Sequence, residues 1–315
     1  RLLREVSVDH RFFYEGDPAD RISETVKRWG GLLSQEDMAR YHASLAEPVE
    51  MEYHGWKILE MPPNTQGVTT LLILRLLERA EAPHSIRELI DAYALAYHVR
   101  DNYLGDPRYM TYAPSHLIST GFINQLATKR KIHRNTPSGS DTTFLAAVDS
   151  QGTIALGIQS LFHHFGSMVT EPHYQVTLHS RASCFTLKRG VPNTLGPRKL
   201  PLHTLSTVIL ENKDGIIGYG LSAGHYRPQF HSQIAEKIAR HGMDPLEAFN
   251  SPRLAWVPWT NKIIVDPGQR ASINDKGYLV IEGRTGVGGV IHYYDGVARI
   301  ASDARGEGLA MAVRH

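Results

Sequence analysis

The chain has 315 residues, 42% hydrophobic and 21% charged, with a formal net charge of +2. These values suit a soluble globular protein with a sizeable core, built as two domains or one large layered one. They point away from a nucleic-acid partner, because no long block of Lys or Arg appears. The nearest is Lys129-Arg130-Lys131 with His133-Arg134, which suits a solvated loop. The one cysteine, Cys184, can form no internal disulfide and is compatible with a reducing compartment, so a cytoplasmic location is expected. No apolar run is long enough to span a membrane, since Leu71 to Leu77 is broken by Arg75, and no membrane partner is expected. The chain opens on Arg1 and runs at once into Phe12-Phe13-Tyr14-Glu15-Gly16, as a fragment beginning inside a domain would.

Ala19, Ile22, Val26 and Trp29 follow a helical spacing that Gly30-Gly31 ends. Ser34 is the expected N-cap of a short second helix, with Asp37 at its third position. Val49 to Met61 alternates and turns at His54-Gly55, as a hairpin does. Pro62-Pro63-Asn64 is a loop, and Thr69 to Ala80 and Ser85 to Leu104 are helices. The second of these carries Ile86, Leu89, Ile90, Tyr93, Ala94 and Tyr97 on one face.

Strands dominate from residue 142 onward. Thr142 to Val148 and Thr153 to Phe162 form an expected hairpin, with His163-His164 continuing the second strand. Leu205 to Leu210 and Ile216 to Leu221 flank the hairpin turn Lys213-Asp214-Gly215. His231 to Arg240 and Pro245 to Asn250 are helical, the second with proline at its first position after Asp244. Four short strands follow, at Ile263 to Val265, Tyr278 to Ile281, Gly289 to Tyr294 and Val297 to Ala301, and the glycines of Gly283 to Gly289 are expected in turns. This order suggests an α+β fold, sheets covered by helices, and not a βα repeat.

The chemistry centres on Asp141-Thr142-Thr143-Phe144, at the boundary between the flexible-looking Thr136-Pro137-Ser138-Gly139-Ser140 and a strand. A β-branched pair opening a strand is the ordinary reading. The other is that a cut just before Thr142 would give one residue both a nucleophilic hydroxyl and, in its own α-amine, the base that activates it.

Several segments in order carry a resemblance: Phe13-Tyr14-Glu15-Gly16, Gly30-Gly31-Leu32-Leu33-Ser34-Gln35-Glu36-Asp37, Tyr103-Leu104-Gly105-Asp106-Pro107, Asp141-Thr142-Thr143, Phe165-Gly166-Ser167, Ser251-Pro252-Arg253 and Ser302-Asp303-Ala304-Arg305. Together they resemble the γ-glutamyltranspeptidase family of N-terminal-nucleophile hydrolases. The resemblance implies a four-layer αββα sandwich and self-cleavage between Asp141 and Thr142. The mostly helical 1–141 would be the later part of the large-subunit region, and the strand-rich 142–315 the small-subunit region. It also implies Thr142 and Ser160 as catalytic residues and Ser222-Ala223-Gly224-His225 as the oxyanion loop, with Gly224 and His225 as donors. His225 replaces the family's second glycine there.

The departures bear on substrate. The acidic residue that holds the donor's amine falls at Cys184, an expected Asn at Phe162, and the Ser-Ser pair that grips the carboxylate at His203-Thr204. An ammonium without its carboxylate loses about 1.5–3 kcal/mol. Ser160-Leu161-Phe162, Arg181-Ala182, Pro201-Leu202-His203-Thr204-Leu205 and Arg227-Pro228-Gln229 are similar to a divergent branch that includes oxamate amidohydrolase and glutathione hydrolase-like proteins. Arg181 could offer a guanidinium to a small carboxylate, or form an internal salt bridge. Phe162, Arg181, His203 and Thr204 are thus the expected substrate-binding residues.

The 17 histidines lack zinc-type spacing, and no metal or other cofactor is expected. Gly286 and Gly288-Gly289 match no phosphate loop. Trp256 and Trp259 suit packing or a subunit contact better than base stacking. The expected partners are a small amide substrate, the chain's own cleaved subunit and a second copy of the protein. A catalytically silent member that keeps the fold for binding is the alternative of another class.

Overall fold

The computed structural model describes residues 2–126, 142–273 and 277–313. The expected basic loop and Asp141 lie outside the described residues. In chain order the elements are α1 (Leu2–Val8), α2 (Phe12–Glu15), α3 (Asp17–Arg28), α4 (Gln35–Ala39), β1 (Val49–Tyr53), β2 (Trp56–Glu60), α5 (Gly67–Leu77), α6 (Ile86–Tyr103), α7 (Pro114–Leu117) and α8 (Thr120–Leu126). Then come β3 (Thr142–Val148), β4 (Ile154–Ser160), β5 (Thr170–Glu171), β6 (Val176–Thr177), β7 (Val208–Asn212), β8 (Gly215–Ser222), α9 (Arg227–Ala239) and α10 (Pro245–Asn250). The chain closes with β9 (Leu254–Trp256), β10 (Lys262–Val265), β11 (Leu279–Glu282), β12 (Val287–Tyr294) and β13 (Val297–Ser302).

The chain divides into a smaller unit, Arg1–Ala46 with Leu161–Arg181, and a larger one, Glu47–Ser160 with Ala182–His315. In the smaller unit Ala19, Ile22 and Met38 form a core with Phe13, Val26, Val176 and Leu178. Its helix α4 starts at the expected cap. The Ser34 hydroxyl accepts from Asp37 N and the Asp37 carboxylate accepts from Ser34 N, so two orphan donors are satisfied reciprocally.

The larger unit is built on a six-stranded sheet in the order β1-β2-β7-β8-β12-β13, antiparallel throughout. Strand alternation divides β8 between two faces. Ile217, Tyr219 and Leu221 are fully buried, and the Tyr219 hydroxyl donates to His231 O of α9 at 2.8 Å. Helices α5 and α9 cover that side. The intervening Gly218 and Gly220 lie under the β3–β4 hairpin. A Cβ on Gly220 would stand 2.6 Å from the Phe144 ring, and one on Gly218 3.0 Å from Ile154. The sheet therefore carries helices on one face and a second β layer on the other, packed close because glycine leaves the room.

Two expectations are corrected. Strand β4 ends at Ser160, so His163-His164 is not on a strand. The backbone turns there, with φ of +79° at Phe162 and +61° at Phe165, and the His163 ring nitrogen Nδ1 meets the Ser180 hydroxyl at 2.8 Å. Gly288 and Gly289 lie within β12, not in turns; a Cβ on Gly288 would fall 1.9 Å from Gly220 O of the paired strand.

Candidate active site

Thr142 is the first residue of β3 and pairs with Ser160, the last residue of β4. The hairpin's position over the sheet fixes where this open end lies. At the tip, the Tyr293 hydroxyl donates to Ser150 O, and Tyr293 pairs with Ile216 near the start of β8. One step further, Ile154 and Leu156 lie over Gly218; the next, Phe144 lies over Gly220. Thr142 precedes Phe144 by two residues on the same face of β3, so it lies beyond Gly220 in the direction of the end of β8. Strand residues advance about 3.3 Å each, so Ser222 leads within two residues into Gly224-His225.

That segment is a turn of 3₁₀ helix, Gly224–Tyr226, running directly into α9. Gly224 has φ of +51°, a left-handed conformation that glycine takes without strain. Both turn residues are buried. Gln66 reaches in from the start of α5: its Nε2 donates to Gly224 O at 2.9 Å and to Thr204 O at 3.2 Å. Arg100 Nη1 donates to Gln66 Oε1 at 3.2 Å and lies 3.2 Å from His225 Nδ1. The Tyr97 hydroxyl donates to His225 O at 2.5 Å, and burial pushes its pKa well up, so it stays a donor. Gln229 Nε2 in turn donates to Tyr97 at 3.2 Å. Thr204, Gly224 and His225 are thus brought together by side chains that sequence reasoning did not single out. A signal was present: Arg100 continues the Tyr93, Tyr97 face of α6, where an apolar residue would be expected. His203 is anchored through its backbone, with N donating to Asn64 O at 2.9 Å.

In the smaller unit, Phe162 and Arg181 meet each other. The Arg181 guanidinium lies 4.6 Å from the Phe162 ring centroid, and both residues are buried. Burial and the Arg181 charge lower the pKa of His179. Cys184, in the larger unit, is buried, and its carbonyl accepts from Asn193 Nδ2 at 2.7 Å.

The paired motifs near the end of the chain build a buried ion network in the larger unit. Arg253 donates to Asp303, and Arg305 bridges Asp303 at 3.0 Å and Asp266 at 2.7 Å. Burial raises the Asp266 pKa, but hydrogen bonds from Arg305 and Thr285 outweigh it and hold the carboxyl below its usual range. Burial, with Arg253 and Arg305 nearby, brings Lys237 down to about 8. Trp256 and Trp259 pack edge to face, with centroids 5.4 Å apart. Among the described residues no cluster of His, Cys, Asp and Glu could hold a metal ion, and no helix is long and apolar enough to cross a membrane.

An antiparallel sheet with helices on one face, a β-hairpin on the other and a threonine opening that hairpin is the arrangement of the N-terminal-nucleophile hydrolases. The chain belongs to the gamma-glutamyltranspeptidase family, whose model matches residues 3–313. It is 33% identical over 256 residues to the glutathione hydrolase-like YwrD proenzyme of Bacillus subtilis, covering 78% of this chain and 49% of that protein. It is 24% identical to the oxamate amidohydrolase proenzyme of Klebsiella pneumoniae, covering 98% of this chain and 63% of that protein. The fold is similar to the crystal structure of cephalosporin acylase from Bacillus halodurans, with a TM-score of 0.87 and 25% identity, over 100% of this chain and 62% of that one. The chain spans about half to two thirds of the length of these relatives.

Proposed function

We propose that this protein is an amide hydrolase and acyl transferase whose nucleophile is Thr142, freed as a chain N-terminus by self-cleavage after Asp141. The observation that supports this reading is the seat of the hairpin on the sheet: Phe144, two residues after Thr142, lies over Gly220 near the end of β8, and the Gly224-His225 turn follows that strand. The Thr142 hydroxyl would attack the amide carbonyl, and its α-amine would take the proton and pass it to the departing amine. Backbone N–H groups of the turn would hold the oxyanion. Water, or an acceptor amine, would then release the acyl group and restore the threonine. Ser160, the cross-strand partner of Thr142, would sit beside the nucleophile.

For the donor we propose a small amide bearing a carboxylate and no amine. Cys184 stands where a γ-glutamyl site needs a carboxylate for the donor's ammonium, and it cannot supply one. The names of the relatives frame the rival donors, oxamate and glutathione. A denaturing gel and N-terminal sequencing test the nucleophile: two bands are expected, the smaller beginning Thr-Thr-Phe-Leu. One intact band without turnover would favour the catalytically silent alternative. Steady-state rates test the donor. A site built around hydrogen bonds discriminates by up to about 10⁴–10⁵, so oxamate or a similar amide should lead clearly. Glutathione hydrolysis with kcat/KM of about 10⁴ M⁻¹s⁻¹ or more would restore the γ-glutamyl donor.

A further inference from the structure

We propose that Gln66, Arg100 and Tyr97 are positioning residues that aim the oxyanion turn, an inference that rests on the assignment of Gly224-His225 to that role. In a trans peptide the carbonyl and the following N–H point in opposite directions. Gln66 Nε2 holds Gly224 O at 2.9 Å, so the His225 N–H of the same peptide is turned away from Gln66. The next carbonyl, His225 O, is held by the Tyr97 hydroxyl at 2.5 Å. Two successive carbonyls of the turn are therefore drawn toward the helix layer by buried side chains, and the N–H of the peptide between Gly224 and His225 is sent the other way. The backbone holds the turn as well, with Tyr226 N donating to Ala223 O at 2.9 Å and Arg227 N donating to Gly224 O, and the side chains add to that hold at a glycine with φ of +51°.

Gln66 is itself held. Its second Nε2 hydrogen reaches Thr204 O at 3.2 Å, and its Oε1 accepts from Arg100 at 3.2 Å. Arg100 lies over the Tyr97 ring at 4.3 Å and donates to Asp101 at 2.8 Å, so its Nη1 is fixed toward both Gln66 and His225. Because the guanidinium has only N–H donors, Nδ1 of His225 must accept, which places the imidazole proton on Nε2. One carboxamide thus ties the residue expected to meet the substrate carboxylate, Thr204, to the turn expected to meet the oxyanion. All three positioning residues come from the region before Asp141, and the turn they hold comes from the region after it.

The test compares wild type with Gln66→Met, which keeps the side-chain length and removes both donors, and Tyr97→Phe, which deletes one hydroxyl. Turnover of the best amide is normalised to free N-terminal threonine, so that incomplete maturation does not count as slow chemistry. Positioning predicts that Gln66→Met lowers kcat by about ten- to a hundred-fold, because small misplacements of preorganised groups are costly. KM should stay within about three-fold, and Arg100→Lys should retain more activity than Arg100→Met. A purely structural role would lower the melting temperature and leave kcat per mature molecule unchanged; that result overturns the proposal. If Gln66→Met does not fold, Tyr97→Phe decides by the same kcat against KM comparison, with about a tenfold fall in kcat expected. A wild-type protein that turns over no amide removes the hydrolase reading itself, an outcome distinct from an active wild type with unaffected variants.

Discussion

Gly220→Ala is the substitution that most directly tests whether the hairpin's seat on the sheet governs Thr142. The added Cβ would stand 2.6 Å from Phe144 Cε2, 2.7 Å from Cδ2 and 3.2 Å from Thr207 Cγ2. Carbon atoms settle at about 3.5–4.0 Å, so the Phe144 ring must retreat by about 1 Å. Overpacking of this size costs about 1–3 kcal/mol, a melting shift of a few degrees. The functional effect should be larger. Phe144 is two residues along β3 from Thr142, and a shift of about 1 Å at a reacting group can cost on the order of 10²-fold. Self-cleavage rate and kcat should both fall by ten-fold or more while the protein remains folded. Gly218→Ala is the control. Its Cβ would meet Ile154 Cγ2 at 3.0 Å and Leu156 methyls at 3.2 Å, ends of side chains that can yield. Wild-type cleavage and turnover in Gly220→Ala would refute the view that the glycine face sets the height of the nucleophile.

Arg253→Met should destabilise the protein by about 3–5 kcal/mol, because Asp303 is fully buried and, among the described residues, keeps only Arg305 as its cationic partner; a loss below about 1 kcal/mol in urea unfolding would show the network to be dispensable. Lys237 gives a pH-dependent prediction. Its folded pKa of about 8 lies below the ordinary 10.5, so between these values the unfolded chain binds more protons and stability rises with pH. That rise should be weaker in Lys237→Met, and urea unfolding from about pH 7.5 to 10.5 that changes in parallel for both proteins would remove the assignment.

Local signals were read well where local chemistry decides the structure. Ser34 with Asp37 forms the expected reciprocal cap, Asp244 caps the helix begun by Pro245, and Lys213-Asp214 turns between the paired Asn212 and Gly215. The fold class followed from the order of helices and strands and from the family motifs. The strand order did not, because β2 pairs with β7 across a long stretch of chain and no local pattern encodes that contact. His163-His164 misled because apolar alternation continued to Phe162, while the backbone there had already turned to a positive φ. Gly288 and Gly289 were read as turn formers, yet they lie in β12, where Gly288 leaves room for Gly220 of the paired strand. Gln66 follows Asn64-Thr65 in a polar loop and gave no local signal, while Arg100 gave only its place on the Tyr93, Tyr97 face of α6; the meaning of both lies in contacts far away in sequence.

The pairing of β2 with β7 also orders events in time. Lys57 to Glu60 and Val208 to Glu211 form one ladder, and the bond expected to break lies between them in the sequence. Made as separate polypeptides, the halves would each offer an unpaired strand edge to solvent, a template for aggregation. While the chain is continuous, the two edges meet as an intramolecular event at high effective concentration. If the chain is cut as proposed, scission after folding would remove the tether without disturbing the seam, the uncut chain would act as its own assembly chaperone, and a break made before folding would strand both pieces.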